Sequence, residues 1–179
     1  YVEIRRLKRI EEMVELYYNS GQFTNTLPYL EKAFPGAFAM YEALADYYQE
    51  KGYFTNSPAR AYRYQILLEF ATQQDPENSE RYRELLTYDM YLRENLKSRP
   101  GFAAEISEEE KQDIRKFYQA EEQERRYLPA YAEYDWKQLS RMTHLEPFRY
   151  PEPHYVLFDY QERNPLNYEA KVRVIPQPL

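Results

Sequence analysis

The sequence predicts a mainly α protein: about six helices in an antiparallel helical array, closed by a small C-terminal antiparallel β-sheet of two or three strands. Three observations carry this. Apolar residues recur at helical spacing as far as Arg125, the signature of amphipathic helices. The four glycines, Gly21, Gly36, Gly52 and Gly101, each sit where a helical pattern stops, where a left-handed residue or an inter-helix turn belongs. The prolines divide unevenly, five in residues 1–128 and seven in residues 129–179. Composition therefore shifts near Tyr127. Residues 1–127 read as a helical domain, and residues 128–179 as a Pro-rich β appendage packed on it as one unit.

Each element has its own signals. Ile4, Leu7, Ile10, Val14 and the Tyr17-Tyr18 pair space a helix over residues 2–19, ended by Ser20-Gly21. Thr26 can cap a short helix with Pro28 in its first turn, stopped by Pro35-Gly36. Residues 37–51 place Phe38, Tyr41, Leu44, Ala45 and Tyr48 on one stripe, and Gly52 ends it. Ser57-Pro58 reads as an N-cap followed by Pro, opening a helix to about Thr72. Asp75-Pro76 repeats that signal for a long helix to about Ser98, broken by Arg99-Pro100-Gly101. Ser107-Glu108-Glu109-Glu110 is a capping box with its acids where the helix dipole favours them, and its helix reaches about Arg125. Beyond Tyr127, residues 142–150, 154–160 and 170–175 are short aromatic and β-branched runs between Pro and Asn turns. Lys171-Val172-Arg173-Val174 alternates as a strand with one wet face should. With no glycine in this region, its connections fall to longer loops at residues 151–153 and Asn164-Pro165 rather than to tight hairpins.

Leu, Ile, Val and Phe supply only 37 of the 179 residues, near the roughly 20% level at which a folded core becomes doubtful. The 21 tyrosines restore the expectation of a core. Each can bury on the order of 150–250 Å² of ring surface while its hydroxyl finds a partner. The net charge of −6 speaks against a nucleic-acid binder, whose basic footprint should show. No apolar run approaches a membrane span and no signal peptide is visible, so a cytoplasmic location is expected. The chain lacks cysteine altogether, which excludes disulfides, thiolate zinc sites, a cysteine nucleophile and any iron–sulfur cluster ligated within it. It opens on Tyr1 rather than Met, directly into a helix, and is expected to be a piece of something longer.

One internal echo stands out. Gly21-Gln22-Phe23-Thr24-Asn25-Thr26 recurs as Gly52-Tyr53-Phe54-Thr55-Asn56-Ser57, a shift of 31 residues. The rhythm is also that of a tetratricopeptide array, whose period is about 34. Helix-turn chemistry used twice is the favoured reading of two copies.

Candidate sites are sparse. The only histidines, His144 and His154, have Glu146, Glu152 and Asp159 nearby. His144, Glu146, His154 and Asp159 are the only weak metal-ligand candidates, and residues 144 and 146 would share a strand face. Ordinary surface or turn histidines are favoured over a metal site. The basic run Arg5, Arg6, Lys8 and Arg9 is neutralised by Glu3, Glu11, Glu12 and Glu15, as on a solvated helix face. The Tyr17-Tyr18 and Tyr47-Tyr48 pairs could form an aromatic platform. Adjacent helical residues point about 100° apart, so one of each pair is expected to pack while the other borders it. No phosphate loop, nucleophile elbow or HExxH is present. No catalytic residue is assigned.

Three stretches are more specific: Arg9-Ile10-Glu11-Glu12-Met13-Val14-Glu15-Leu16-Tyr17-Tyr18-Asn19-Ser20-Gly21-Gln22-Phe23, then Tyr91-Leu92-Arg93-Glu94-Asn95-Leu96-Lys97-Ser98-Arg99-Pro100, and Leu157-Phe158-Asp159-Tyr160 with Asn164-Pro165-Leu166. Together they resemble the uncharacterised C-terminal domain that follows the catalytic core in bacterial cobalamin-binding-type radical S-adenosylmethionine proteins, often labelled Fe–S oxidoreductases. The resemblance spans nearly the whole chain. It implies an accessory domain whose partner is the N-terminal catalytic part of the same polypeptide. The implied cofactors, a four-iron cluster and S-adenosylmethionine with cobalamin as a further option, belong to that parent protein. The CxxxCxxC and DxHxxG motifs that would hold cluster and cobalamin are absent here, so no family residue is carried over and no cofactor is expected in this chain. The alternative is an autonomous tetratricopeptide-like interaction module.

Overall fold

A computed structural model of the chain describes residues 1–176. It is mainly helical with a small C-terminal sheet, as the patterning predicts. The described residues form eight α-helices. These are α1 (Val2–Met13), α2 (Thr26–Glu31), α3 (Ala37–Lys51), α4 (Tyr53–Asn56), α5 (Tyr62–Gln74), α6 (Ser79–Arg93), α7 (Glu108–Glu124) and α8 (Trp136–Met142). Three antiparallel strands follow in the order β1 (Thr143–Phe148), β2 (His154–Asp159) and β3 (Lys171–Pro176). The chain divides into two compact units, the first Tyr1–Met90 and the second from Tyr91 onward. The compositional shift near Tyr127 lies inside the second unit, because Phe117 and Tyr118 of α7 share a core with Leu145, Tyr155, Leu157 and Ile175 of the sheet.

In the first unit the tyrosines do what the composition requires. Tyr17, Tyr48, Tyr64 and Tyr82 are buried together with Met13, Phe23, Leu30, Leu44 and Phe70. Rings meet edge to face or tilted, as their quadrupoles prefer: Tyr17 lies 5.1 Å from Phe23 and 5.9 Å from Tyr48, and Phe23 lies 4.8 Å from Tyr64. The 31-residue echo has a physical counterpart. Tyr17 and Tyr48, related by that shift, share a buried hydroxyl–hydroxyl hydrogen bond of 2.6 Å. Gly21 and Gly52 both turn the chain at positive φ, 70° and 73°, where a β-carbon is strained. The copies diverge at the next cap. Ser57 takes φ 47° at the end of α4, and α5 begins only at Tyr62, so Ser57 closes one helix and is not the helix start its sequence suggests. Tyr17→Phe and Tyr48→Phe should each cost about 1–2 kcal/mol, since each strands a buried hydroxyl. The double variant should cost less than the sum of the two, a coupling that urea unfolding of the four-member cycle will read.

Two helix ends depart from the sequence signals for the same reason. The cap of α2 comes from outside the helix: the carboxylate of Asp89, on α6, accepts from the backbone N–H of Asn25 (3.0 Å) and of Thr26 (2.8 Å), and from the Thr26 hydroxyl (2.6 Å). The Asn25 amide adds a fourth bond at 2.8 Å. Burial pushes the Asp89 carboxyl up to about 6, against the downward pull of those donors. Likewise α6 stops at Arg93 instead of about Ser98, because its last carbonyls are taken by the second unit's own loop. The Tyr160 hydroxyl donates to the Tyr91 and Glu94 carbonyls (2.6 and 3.0 Å), the Ala170 N–H to Leu92 (2.7 Å) and Arg163 to Arg93 (2.9 Å).

The rest of the second unit follows its caps. Ser107 accepts from the Glu110 N–H at 3.1 Å to open α7. The buried Glu121 carboxylate then accepts from the N–H groups of Tyr127 and Leu128 and turns the chain. α8 falls in a stretch with no apolar stripe to announce it. Its signal is the capping box of Asp135 and Gln138, closed in both directions at 2.8 and 2.9 Å. β2 is the central strand and is buried almost throughout. Pro147 sits on the edge strand β1, where a missing N–H is tolerated.

Candidate functional site

The first unit contains an apolar groove of roughly 750 Å³. A π-helical segment, Val14–Asn19, follows α1 directly and supplies Val14, Tyr17, Tyr18 and Asn19 to the wall. Such wide turns recur at functional sites. Phe23 and Thr24, then Leu27, Pro28 and Glu31 of α2, and Ala37, Met40 and Tyr41 of α3 complete it. The two members of the Tyr17-Tyr18 pair point to different sides of the segment: Tyr17 is fully buried, and Tyr18 is 66% exposed at the groove. At the second pair both Tyr47 and Tyr48 are buried, so that pair is core alone. Burial pushes the Tyr41 hydroxyl up to about 12, with the Glu31 charge and the Tyr18 hydroxyl acting in the same direction.

A second apolar surface lies on α1. Ile10 and Met13 are buried, but Val2, Ile4 and Leu7 are more than half exposed. Ile4 and Leu7 continue the stripe that Ile10 begins to bury, so the first two turns of an amphipathic face lie open. Arg6 on the flank reaches Glu42 (3.3 Å) and Asp46 (3.6 Å) of α3. These exposed pairs each contribute at most about 1 kcal/mol.

The sequence-predicted ligand candidates do not converge. His144 and Glu146 do meet: Nε2 of His144 lies 2.9 Å from Glu146 Oε1. Glu146 is 1% exposed and receives a two-pronged contact from Arg99, with Nε at 3.1 Å and a terminal guanidinium nitrogen at 2.6 Å. His144 stacks on Tyr91 at 3.6 Å and 7°. Burial works to raise the Glu146 carboxyl, but the hydrogen bonds of His144 and Arg99 outweigh it and hold it below the usual range. Asp159 accepts instead from the Tyr131 hydroxyl and, at 3.0 Å, from the Gln161 N–H. His154 opens β2, opposite Phe148, while Asp159 closes it, and the His154 ring bonds the Glu152 carbonyl at 2.7 Å. Among the described residues no group of three or more His, Cys, Asp or Glu side chains could hold a metal ion. Among the same residues no helix is long and apolar enough to cross a membrane.

The sequence showed no groove, only tyrosine pairs expected to pack. The π-helical turn that brings Tyr18 to the wall leaves no signature in a pattern of apolar residues. Arg99 gave no signal either: it stands 47 positions from Glu146 and reads locally as part of a helix break.

A family model described as "Protein of unknown function" (DUF4080) matches residues 1–165. No curated protein and no solved structure matches the chain.

Proposed function

We propose, for a chain that belongs to the DUF4080 family of proteins of unknown function, that it is a non-catalytic accessory C-terminal domain of a radical S-adenosylmethionine (Fe–S) enzyme. Its role is to cap the barrel of that enzyme or to contribute to substrate or partner binding. The observation that carries the accessory role is the open apolar stripe of α1, Val2, Ile4 and Leu7. A helix builds such a face to cover another surface. The link to the radical enzyme rests on the three distinctive stretches at residues 9–23, 91–100 and 157–166. The four-iron cluster and S-adenosylmethionine belong to the parent protein in this reading, which assigns no cofactor and no catalytic residue to this chain. Its partner is the N-terminal catalytic part of the same polypeptide, in the cytoplasm, with nucleic acid and membrane playing no part.

Anaerobic purification of the natural full-length product tests this. Visible iron–sulfur absorption in that product, absent from the 179-residue chain, is expected, together with a CxxxCxxC in the reading frame within a few hundred residues upstream. A start codon just upstream, or a full-length product without a cluster, sinks the proposal. The second reading, an autonomous tetratricopeptide-like module, draws on the paired Tyr17–Tyr48 bond and the matching turns at Gly21 and Gly52. It predicts further copies of that unit in the adjoining reading frame and no cluster.

A further inference from the structure

The groove of the first unit carries a one-sided charge. Of its lining residues Glu31 is the one acidic or basic side chain. Its carboxylate forms no ion pair among the described residues, and the adjacent Lys32 is drawn away, its Nζ lying over the Tyr29 ring at 5.3 Å. The polar remainder of the wall is rich in oxygen. Tyr18 and Tyr41 bring hydroxyls to it, and that of Tyr41 feels both the Tyr18 hydroxyl and the Glu31 charge. Asn19 donates its amide N–H to Glu15 at 2.7 Å, which leaves its carbonyl oxygen as an acceptor. The volume lies within the roughly 300–1,000 Å³ of small-molecule sites, which are likewise apolar with a few placed polar groups.

We propose that this groove binds a small organic cation, a primary or secondary ammonium on an apolar, aromatic-sized body. The ammonium sits at Glu31, and the body lies against Tyr18, Met40 and Tyr41. Glu31, exposed at the rim of the groove, sets the one charge of the lining where the ammonium reaches it. Tyrosine faces favour the same charge through their quadrupoles, and the Met40 thioether adapts to the shape of the body. An anion of equal size meets repulsion from Glu31. The inference gives the binding role of the accessory domain a ligand class, but it holds whether or not the chain is joined to an iron–sulfur enzyme.

The full 179-residue chain is titrated with phenethylamine, phenethyl alcohol and phenylacetate, and binding is followed by amide NMR shifts. Phenethylamine should bind about tenfold more tightly than the alcohol, phenylacetate more weakly than either, with shifts centred on Tyr18, Glu31 and Tyr41. Glu31→Gln should bring the amine to the affinity of the alcohol without moving the urea midpoint, because Glu31 is exposed. Tyr18→Ala should weaken all three. Equal affinity of amine and alcohol, or an unchanged preference in Glu31→Gln, overturns the choice of a cation. Absence of binding by all three overturns the groove as a ligand site. Neither result touches the cluster measurement, which separately tests attachment to the radical enzyme.

Discussion

Replacing Asp89 by alanine is expected to lower the stability of the first unit by about 3 kcal/mol, read as a fall in its urea midpoint. The reason is the number of donors that converge on one buried carboxylate. Asn25 and Thr26 direct two backbone N–H groups, an amide and a hydroxyl at it, and alanine leaves the buried Thr26 donors without an acceptor. Water cannot replace the carboxylate where Asp89 and Thr26 are both nearly inaccessible. Asp89→Asn is the finer test. It keeps shape and volume but turns one acceptor into an N–H pair facing other donors, so it should lose much of the same stability. An unchanged midpoint in Asp89→Asn would show that shape, not acceptance, is what Asp89 provides. Because this carboxylate caps α2, and α2 supplies Leu27, Pro28 and Glu31 to the groove, the variant should also weaken binding there.

The second large effect belongs to Arg99. Arg99→Met removes the guanidinium from a carboxylate that is 1% exposed, and a buried pair broken from one side typically costs about 3–5 kcal/mol. Arg99→Met combined with Glu146→Leu should recover a large part of the loss, since the double change leaves no uncompensated charge behind. The same pair sets a pH dependence. The folded state holds the Glu146 carboxyl below its ordinary value of 4.5, so its contribution is complete above that value and is lost as the pH falls through the lower folded one. Acid unfolding of the wild type should therefore steepen below about pH 4.5. The difference from Glu146→Leu, measured by circular dichroism across that range, isolates the effect. A wild type and Glu146→Leu that lose stability in parallel would refute the assignment.

Most of the fold was legible because its helices are amphipathic and their ends are punctuated. Ser107 with Glu110 and Gly52 at positive φ are local signals, and local physics decides them. The alternation of Lys171 to Val174 marks the strand but not its faces: Val172 and Val174 lie exposed, and Arg173 is partly buried. What escaped the sequence is decided at a distance. The cap of α2 lies 63 residues from Thr26, and the groups that end α6 lie about 70 residues beyond it. No window around Thr26 or Arg93 contains those partners. The division of the chain was obscured for a related reason. Composition near Tyr127 changes where the secondary structure changes, whereas compactness follows the core that Phe117 and Tyr118 share with the strands. Of the candidate site, the expectation that one ring of a tyrosine pair packs and the other borders the core holds at Tyr17-Tyr18 and fails at Tyr47-Tyr48. Glu31 and Met40 were not foreseeable, since nothing in a linear pattern places them on a common wall.

A core built on tyrosine has a further consequence, which concerns uniqueness rather than strength. A leucine or phenylalanine core tolerates neighbouring arrangements, because one apolar contact replaces another at little cost. Here the buried rings carry addressed hydroxyls: Tyr17 to Tyr48, Tyr82 to Asp75, Tyr118 to Thr143, Tyr131 to Asp159 and Tyr160 to the end of α6. Any slipped or alternative packing strands several of these groups away from water, and each stranded group is penalised in a low-dielectric interior. The hydroxyls thus act as keys that fit only one lock. A sequence poor in aliphatic residues can in this way still specify a single native arrangement.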